Sequence, residues 1–332
     1  MSSKTLFIVW SSHSRRAVTL ADELDGAVKF IYEHRLKGLW LTPLRYLVQV
    51  WKTWSLLELM RPEVVIIQVP PIFALLTVVI WCQLRGKTKP GGQHVSYTID
   101  SHTGAFYDPR WRWALPLLRW LSRHAVVTLV ASEGALDILQ HWKVKSLFLI
   151  DGLPNLSQPT GTAGSTGTAR VAVISGFGLD EPVAEVFAAA RLLSQVTFYL
   201  SGDSKRIEPR FLAQRPDNVI LTGFLSDSDY TGLLKNVHGL VNLTKSPHLL
   251  TCACYEALAM GKPTVVSDWP QIKRYFSRGF IYVHNTPEAI AQGITKMLDE
   301  QTILADEVIA TRSELIARRL PTFKEFTALL QL

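Results

Sequence analysis

The chain has 332 residues, of which 48% are hydrophobic and 19% charged, so it is long enough for two domains and too apolar for global disorder. Its formal net charge of +7 lies entirely in residues 1–160, which carry 18 basic and 11 acidic side chains, whereas residues 161–332 carry 17 of each. Nine of the ten tryptophans share that basic half, which points to an anionic or amphiphilic partner there. The basic residues are spread among aliphatic helical segments and no nucleic-acid module is recognisable, so nucleic acid is not an expected partner. Three cysteines, Cys82, Cys252 and Cys254, are too few for a disulfide framework, and the first residues run into a strand without a signal-peptide pattern. The expected location is cytoplasmic.

In chain order, short apolar runs alternate with helical periodicity, the pattern of a parallel sheet covered on both faces. Strands are expected at Leu6–Trp10, Val64–Val69, His94–Ile99, Ala125–Val130 and Ser146–Ile150. Helices are expected at Ala17–Asp25, Pro43–Met60, Ile72–Leu84, Trp111–Ser122 and Glu133–Trp142. The apolar run Val64–Cys82 is broken by Gln68, Pro70 and Pro71 into a buried strand and a buried helix of about a dozen residues, about 18 Å long and too short to span a bilayer. A Gly-, Pro-, Ser- and Thr-rich stretch around 156–169 reads as a linker. A second alternating pattern follows. Strands are expected at Arg170–Ser175, Val196–Leu200, Val219–Thr222, Gly239–Leu243, Pro263–Ser267 and Ile281–Val283, and helices at Pro182–Leu193, Asp229–Asn236, Leu250–Met260 and Pro287–Glu300. The fold class is therefore α/β with two Rossmann-like doubly wound domains, 1–155 and 170–317. Ligands of such sheets bind beyond the carboxyl ends of the strands.

Candidate residues are accordingly those that follow strands. Ser12, His13, Arg15 and Arg16 stand where the first strand gives way to a helix, and their hydroxyl, amide and guanidinium groups suit a diphosphate or a phosphorylated acceptor. Asp100 and His102, two residues apart after another strand, are a candidate general base and partner in either order. Leu36–Arg61 and Asp108–Arg123 interleave Trp, Leu, Lys and Arg on helical spacing, a composition shared by core helices and by helices lying in a membrane interface.

In the second half, Val241-Asn242-Leu243, the loop Thr244-Lys245-Ser246, and Glu256-Ala257-Leu258-Ala259-Met260-Gly261-Lys262-Pro263-Thr264-Val265-Val266-Ser267-Asp268 form a specific series. It resembles the nucleotide-binding half of GT-B glycosyltransferases of the large retaining family, the glycosyl transferases of group 1 or family 4-like type. The resemblance implies transfer of a sugar from a nucleotide-diphosphate sugar, with UDP favoured, to a glycan or lipid-linked hydroxyl acceptor in cell-envelope or exopolysaccharide synthesis. It implies no cofactor beyond that co-substrate, no metal site, and two domains facing across a cleft with the last helix, about 318–332, crossing back to the first. Peripheral membrane contact through the basic, Trp-rich half fits the same resemblance.

Independently of the family, a helix carboxylate such as Glu256 can accept both ribose hydroxyls. The family's second Glu, eight residues earlier, is His248 here. Its usual cations after the first strand of this domain are absent from Ser175–Glu181. Lys245, Lys205 and Arg206 are the substitutes for neutralising diphosphate, with Ser246 beside them, while Gly176, Gly178 and Gly202 allow close backbone approach to phosphate. A nucleotide-sugar epimerase of the same architecture and a non-catalytic partner subunit are the alternatives.

Overall fold

The computed structural model describes residues 5–34, 36, 38, 40–85, 95–156 and 167–330. The chain divides into two compact units, Met1–Gly152 with Arg319–Leu332, and Leu153–Arg318. Most of the expected linker, residues 157–166, lies outside the described residues, and Ala169 already belongs to the next strand.

The first unit is a six-stranded sheet of order β2-β1-β3-β4-β5-β6, parallel throughout. Its strands are β1 (Thr5–Val9), β2 (Ala27–Phe30), β3 (Val64–Val69), β4 (Ser96–Ser101), β5 (Thr128–Val130) and β6 (Ser146–Phe148). Its helices are α1 (Arg15–Glu23), α2 (Thr42–Met60), α3 (Ile72–Arg85), α4 (Gly104–Tyr107), α5 (Leu115–Ser122) and α6 (Glu133–His141). Period-two alternation sorts the strand residues onto two cores. Leu6, Ile8, Val65 and Ile67 pack with α3, while Phe7, Val9, Val64 and Ile66 pack with Ala17 and Leu20 of α1 and with Phe326 and Leu330 near the chain's end.

The second unit is also a parallel six-stranded sheet, of order β12-β11-β10-β7-β8-β9. Its strands are β7 (Ala169–Ile174), β8 (Val196–Ser201), β9 (Val219–Gly223), β10 (Gly239–Asn242), β11 (Thr264–Ser267) and β12 (Phe280–Val283). The helices are α7 (Val183–Leu192), α8 (Pro209–Leu212), α9 (Asp227–Asn236), α10 (Cys252–Met260), α11 (Pro270–Tyr275), α12 (Pro287–Asp299) and the 30-residue α13 (Gln301–Leu330), whose residues from Arg319 on belong to the first unit. Read from β7, this is the 3-2-1-4-5-6 order of dinucleotide-binding sheets, whose topological switch point falls between β7 and β10. In the first unit the switch lies between β1 and β3.

Several elements differ from the sequence expectation. β2 and α11 are additions to it, because four and six residues are too few for a periodicity to register. The segment 111–122 is a 3₁₀ turn over Pro109–Ala114 followed by α5, since Pro116 sits at the start of the α-helix proper. The terminal helix begins at Gln301 rather than at about residue 318. Its last turns are fixed in the first unit by Arg319, which donates to Ile150 O at 2.9 Å and pairs with Glu23 at 2.6 Å.

Candidate functional site

At the second switch point, two loops are sewn together. Thr244 N donates to Ser267 Oγ (2.9 Å), Ser267 Oγ to Asn285 Oδ1 (2.8 Å), and Asn285 Nδ2 back to Thr244 O (3.0 Å), a closed ring across the ends of β10, β11 and β12. Trp269 Nε1 adds a bond to Thr244 O. Thr244 Oγ1 donates to Asp180 and accepts from Ser246 N, and Lys245 N donates to Asp180 O at 2.6 Å. Within the Ser-Asp pair that ends the motif, Ser267 thus holds the loop that carries Lys245 and Ser246. Asn285 completes that ring and is a residue sequence reasoning missed, since nothing near it in sequence points to β10.

The loop after β7 is organised around a carboxylate. Glu181 accepts from Ser175 Oγ (2.6 Å), Gly176 N (3.0 Å) and Gly178 N (2.9 Å), so the backbone forms an anion nest already filled by the chain itself. Phe177 between the glycines has φ of 53°, the left-handed conformation that turns both neighbouring amides the same way. This corrects the expectation for Gly176 and Gly178: their amides are oriented for an oxyanion, but Glu181 supplies it. Gly202 is confined differently. With φ of 126°, its added Cβ would meet Ser175 O at 2.2 Å and the Phe177 ring at 2.9 Å, so its role is to let β8 close against this loop.

Cations stand beside the nest. A Cβ on Gly176 would lie 3.9 Å from Arg206 Nη1, and Arg206, Lys245, Glu181 and Phe177 line one cavity of about 240 Å³ with Arg210 and Phe211. Lys245 pairs with Glu185 at 3.4 Å and Arg210 with Glu208 at 2.7 Å, both at the surface. Lys205 and Arg206 are exposed on a 3₁₀ turn capped by Asp203, whose side chain accepts from Lys205 N. His248 is exposed on the loop before α10.

Glu256 lies on α10, a helix buried from Ala253 to Met260, and is itself only 5% exposed. Tyr230 of α9 donates its hydroxyl to Glu256 Oε2 at 2.5 Å. A carboxylate kept in so apolar a helix needs such partners, because an uncompensated buried charge is strongly unfavourable. The nearby Cys254 thiol is pushed up to about 12 by burial, so it is an inert core group at neutral pH. Gly261 ends the helix in the left-handed conformation, φ 65°.

In the first unit the expected anion site is redistributed. Ser14 caps α1 by accepting from Ala17 N, Ser12 is exposed, and His13 stacks on Phe30. Arg16 is buried and spent internally. Its Nε donates to Asp100 Oδ1 (2.8 Å), and Nη1 donates to Leu149 O (2.8 Å) and pairs with Asp151. Burial alone would lower its pKa, but the two carboxylates outweigh that and raise it. Arg16 is therefore not open to phosphate, and of the two arginines only Arg15 stands partly exposed.

The same geometry revises Asp100. It is 1% exposed, and its second oxygen accepts from Gln68 Nε2 at 2.9 Å, Gln68 being its register partner on β3. A carboxylate with both oxygens committed to buried donors is a structural anchor, not a free base. His102, by contrast, is exposed just past β4, where its amide donates to Val69 O at 2.8 Å. Gly104 N lies 3.4 Å from Nδ1, a weak bond that favours the tautomer with its proton on Nε2. Protein packed around the imidazole lowers its pKa, and Asp100 and Asp151 pull the other way. His102 thus presents a neutral N–H donor near pH 7.

Two doubly wound units with these strand orders have the GT-B fold. Residues 180–300, which hold Lys205, Arg206, Lys245, Ser246, His248 and Glu256, match the family model described as glycosyl transferases group 1, so the resemblance drawn from the 219–268 motif stands. Solved structures of the same fold include sucrose-phosphate synthase from Thermosynechococcus elongatus (13% identity, 99% of each chain, TM-score 0.72) and Anabaena HepE in complex with UDP and glucose (14%, 99% of each chain, 0.71). They also include UDP-GlcNAc 2-epimerase from Neisseria meningitidis bound to UDP-GlcNAc (10%, 95% of this chain and 99% of that chain, 0.56). No curated protein matches the chain in sequence.

Proposed function

We propose that the protein is a glycosyltransferase that moves a sugar from a nucleotide-diphosphate sugar, a UDP-sugar first among them, to a hydroxyl acceptor. The observation that carries this reading is the gathering at one topological switch point of Lys245 and Arg206, with Glu256 buried on the helix that follows β10, inside the segment that matches the glycosyltransferase model. HepE, of the same fold, is solved with UDP and glucose, which favours uridine as the base.

In this reading Glu256 accepts the two ribose hydroxyls, and Tyr230 holds its carboxylate in a fixed orientation by donating to Oε2. Arg206, Lys205 and Lys245 neutralise the diphosphate and the charge that grows on it as the glycosidic bond breaks. His248 and Ser246, on the loop before α10, contact the donor sugar, with imidazole replacing the carboxylate usual in the family. On the first unit His102 donates from Nε2 to a sugar or acceptor oxygen. Asp100 acts behind it with Arg16, keeping the end of β4 rigid. The acceptor would be a hydroxyl of a glycan or lipid-linked glycan.

Calorimetric titration with UDP, GDP, ADP and TDP tests the reading. UDP should bind most tightly, and Glu256→Ala should weaken it by about 1–3 kcal/mol, the loss expected for a charged hydrogen-bond partner. Failure of all four to bind would leave a non-catalytic partner subunit. The epimerase of the same fold keeps a second reading in play, and incubation with UDP-GlcNAc separates the two. Conversion to a 2-epimer without acceptor overturns glycosyl transfer.

A further inference from the structure

Asn242 ends β10 as a buried amide and is bonded to both sides of the second unit's switch point. Its Nδ2 donates to Ile174 O, the last carbonyl of β7, at 3.0 Å. A carbonyl can only accept, so the amide nitrogen faces β7 and Oδ1 is left for Thr251, whose hydroxyl donates to it. Thr251 is the N-cap of α10, with extended backbone, φ −79° and ψ 142°, yet its side chain does not cap the helix. A threonine in that position ordinarily turns its oxygen onto an amide of its own first turn. Here the hydroxyl's single proton goes to Asn242, and the Cys254 thiol, kept protonated by burial, lies 3.2 Å from the same oxygen. The start of α10 is thus held from β10, across the loop 243–250, and not from within the helix. The near limb of that loop has its own fixings, Thr244 to Ser267 and Asp180, and Lys245 N to Asp180 O. What the Asn242–Thr251 bond adds is the placement of α10.

We infer that Asn242 and Thr251 are positioning residues for nucleotide recognition: they fix where α10 begins, and through it where the Glu256 carboxylate stands. The inference rests on the proposed role of Glu256 at the ribose. Glu256 lies five residues beyond Thr251, about 7.5 Å along the helix axis, so a helix that shifts or tilts at its first turn carries the carboxylate with it. A bidentate acceptor is sensitive to such a shift, because two oxygens of one group must meet two hydroxyls of one ribose at hydrogen-bond distance. Tyr230 orients Oε2 from α9, whereas the Asn242 bonds set the helix itself against the ends of β7 and β10.

Thr251→Val removes the hydroxyl at nearly constant shape, and Thr251→Ser keeps it. In calorimetric titration of the full chain, Thr251→Val should weaken UDP binding about threefold to tenfold, the worth of one hydrogen bond, and Thr251→Ser should bind UDP as the unsubstituted protein does. Combined with Glu256→Ala, Thr251→Val should change affinity less than about twofold, because the group it positions is gone. Additive losses, or a loss that Thr251→Ser shares, overturn the inference. Amide exchange without nucleotide reads the placement of the helix directly. The amides of 254–256, the first of which donates to Thr251 O at 3.1 Å, should exchange about threefold to tenfold faster in Thr251→Val and at the usual rate in Thr251→Ser. Unchanged exchange in Thr251→Val overturns the inference as well. A chain that binds none of the nucleotides, or Glu256→Ala binding UDP undiminished, removes the ribose role and the positioning role with it. That failure is told apart from failure of the Asn242–Thr251 link by the faster exchange in Thr251→Val, which only the link produces.

Discussion

At the scale of single residues, the site is a set of carboxylates with different duties. Asp100 and Arg16 are both buried, so removing the Asp100 charge leaves Arg16 with Asp151 as its remaining carboxylate partner. Asp100→Asn should lower unfolding free energy by about 1–3 kcal/mol in urea titration. If Asp100 were instead the catalytic base, the same variant would lose turnover with its stability intact. His102 titrates in the opposite sense to an ion-paired histidine. Its pKa is lowered on folding, so its contribution to stability is complete above about pH 6.5 and is lost as pH falls through the lowered value. A pH series of urea midpoints should show that acid limb, and His102→Gln should flatten it. Glu181 sits where a diphosphate oxygen would be welcome, and its charge opposes one. Glu181→Gln should therefore tighten UDP binding about threefold to tenfold by calorimetry. Weaker binding would mean that the carboxylate is needed to shape the nest. Glu256, Lys245 and Ser246 are legible from the motif because local spacing carries them. Arg16–Asp100, 84 residues apart, is not, and neither is the filling of the glycine nest by Glu181, where the visible signal is only a loop without a base.

At the scale of elements, helix and strand existence follows from apolar runs and caps, and the misses have physical causes. Edge strand β2 has only half-buried and exposed positions, so it lacks the continuous apolar run of β1 or β3. Helix α2 interleaves apolar and basic residues in sequence, and only the packing shows that Gln49 and Thr53 face inward while Leu47, Trp51 and Leu59 face out. The end of α9 rests on a residue far from it. Lys262 donates its ammonium to Lys235 O at 2.9 Å and Val237 O at 2.7 Å, and burial lowers its pKa. These carbonyls lie at the helix C-terminus, where a cation is favoured. Lys262→Met keeps the aliphatic stem but strands both carbonyls. It should cost about 1–3 kcal/mol in thermal or urea unfolding, with hydrogen exchange rising first in the last turn of α9.

At the scale of the molecule, charge and chemistry are divided. Residues 1–160 hold the whole net charge, nearly all the tryptophans and the exposed Leu47, Trp51 and Leu59 of α2, whereas residues 161–332, neutral overall, hold the nest, Glu256 and the candidate phosphate-binding cations. Such a division lets one half of the chain vary without altering the pocket of the other. It also predicts how ligand energy is distributed. A nucleotide that binds the native second unit alone stabilises it by about 2.7 kcal/mol at a hundredfold excess over Kd. Because each unit has its own sheet and core, that increment should appear as slowed amide exchange in β7, β10, α10 and the 244–246 loop. Exchange in β1, β3 and β4 should hold steady under UDP without sugar or acceptor. Equal protection in both sheets would show that the nucleotide acts on the whole chain, and the assignment of donor recognition to the second unit would then have to be withdrawn.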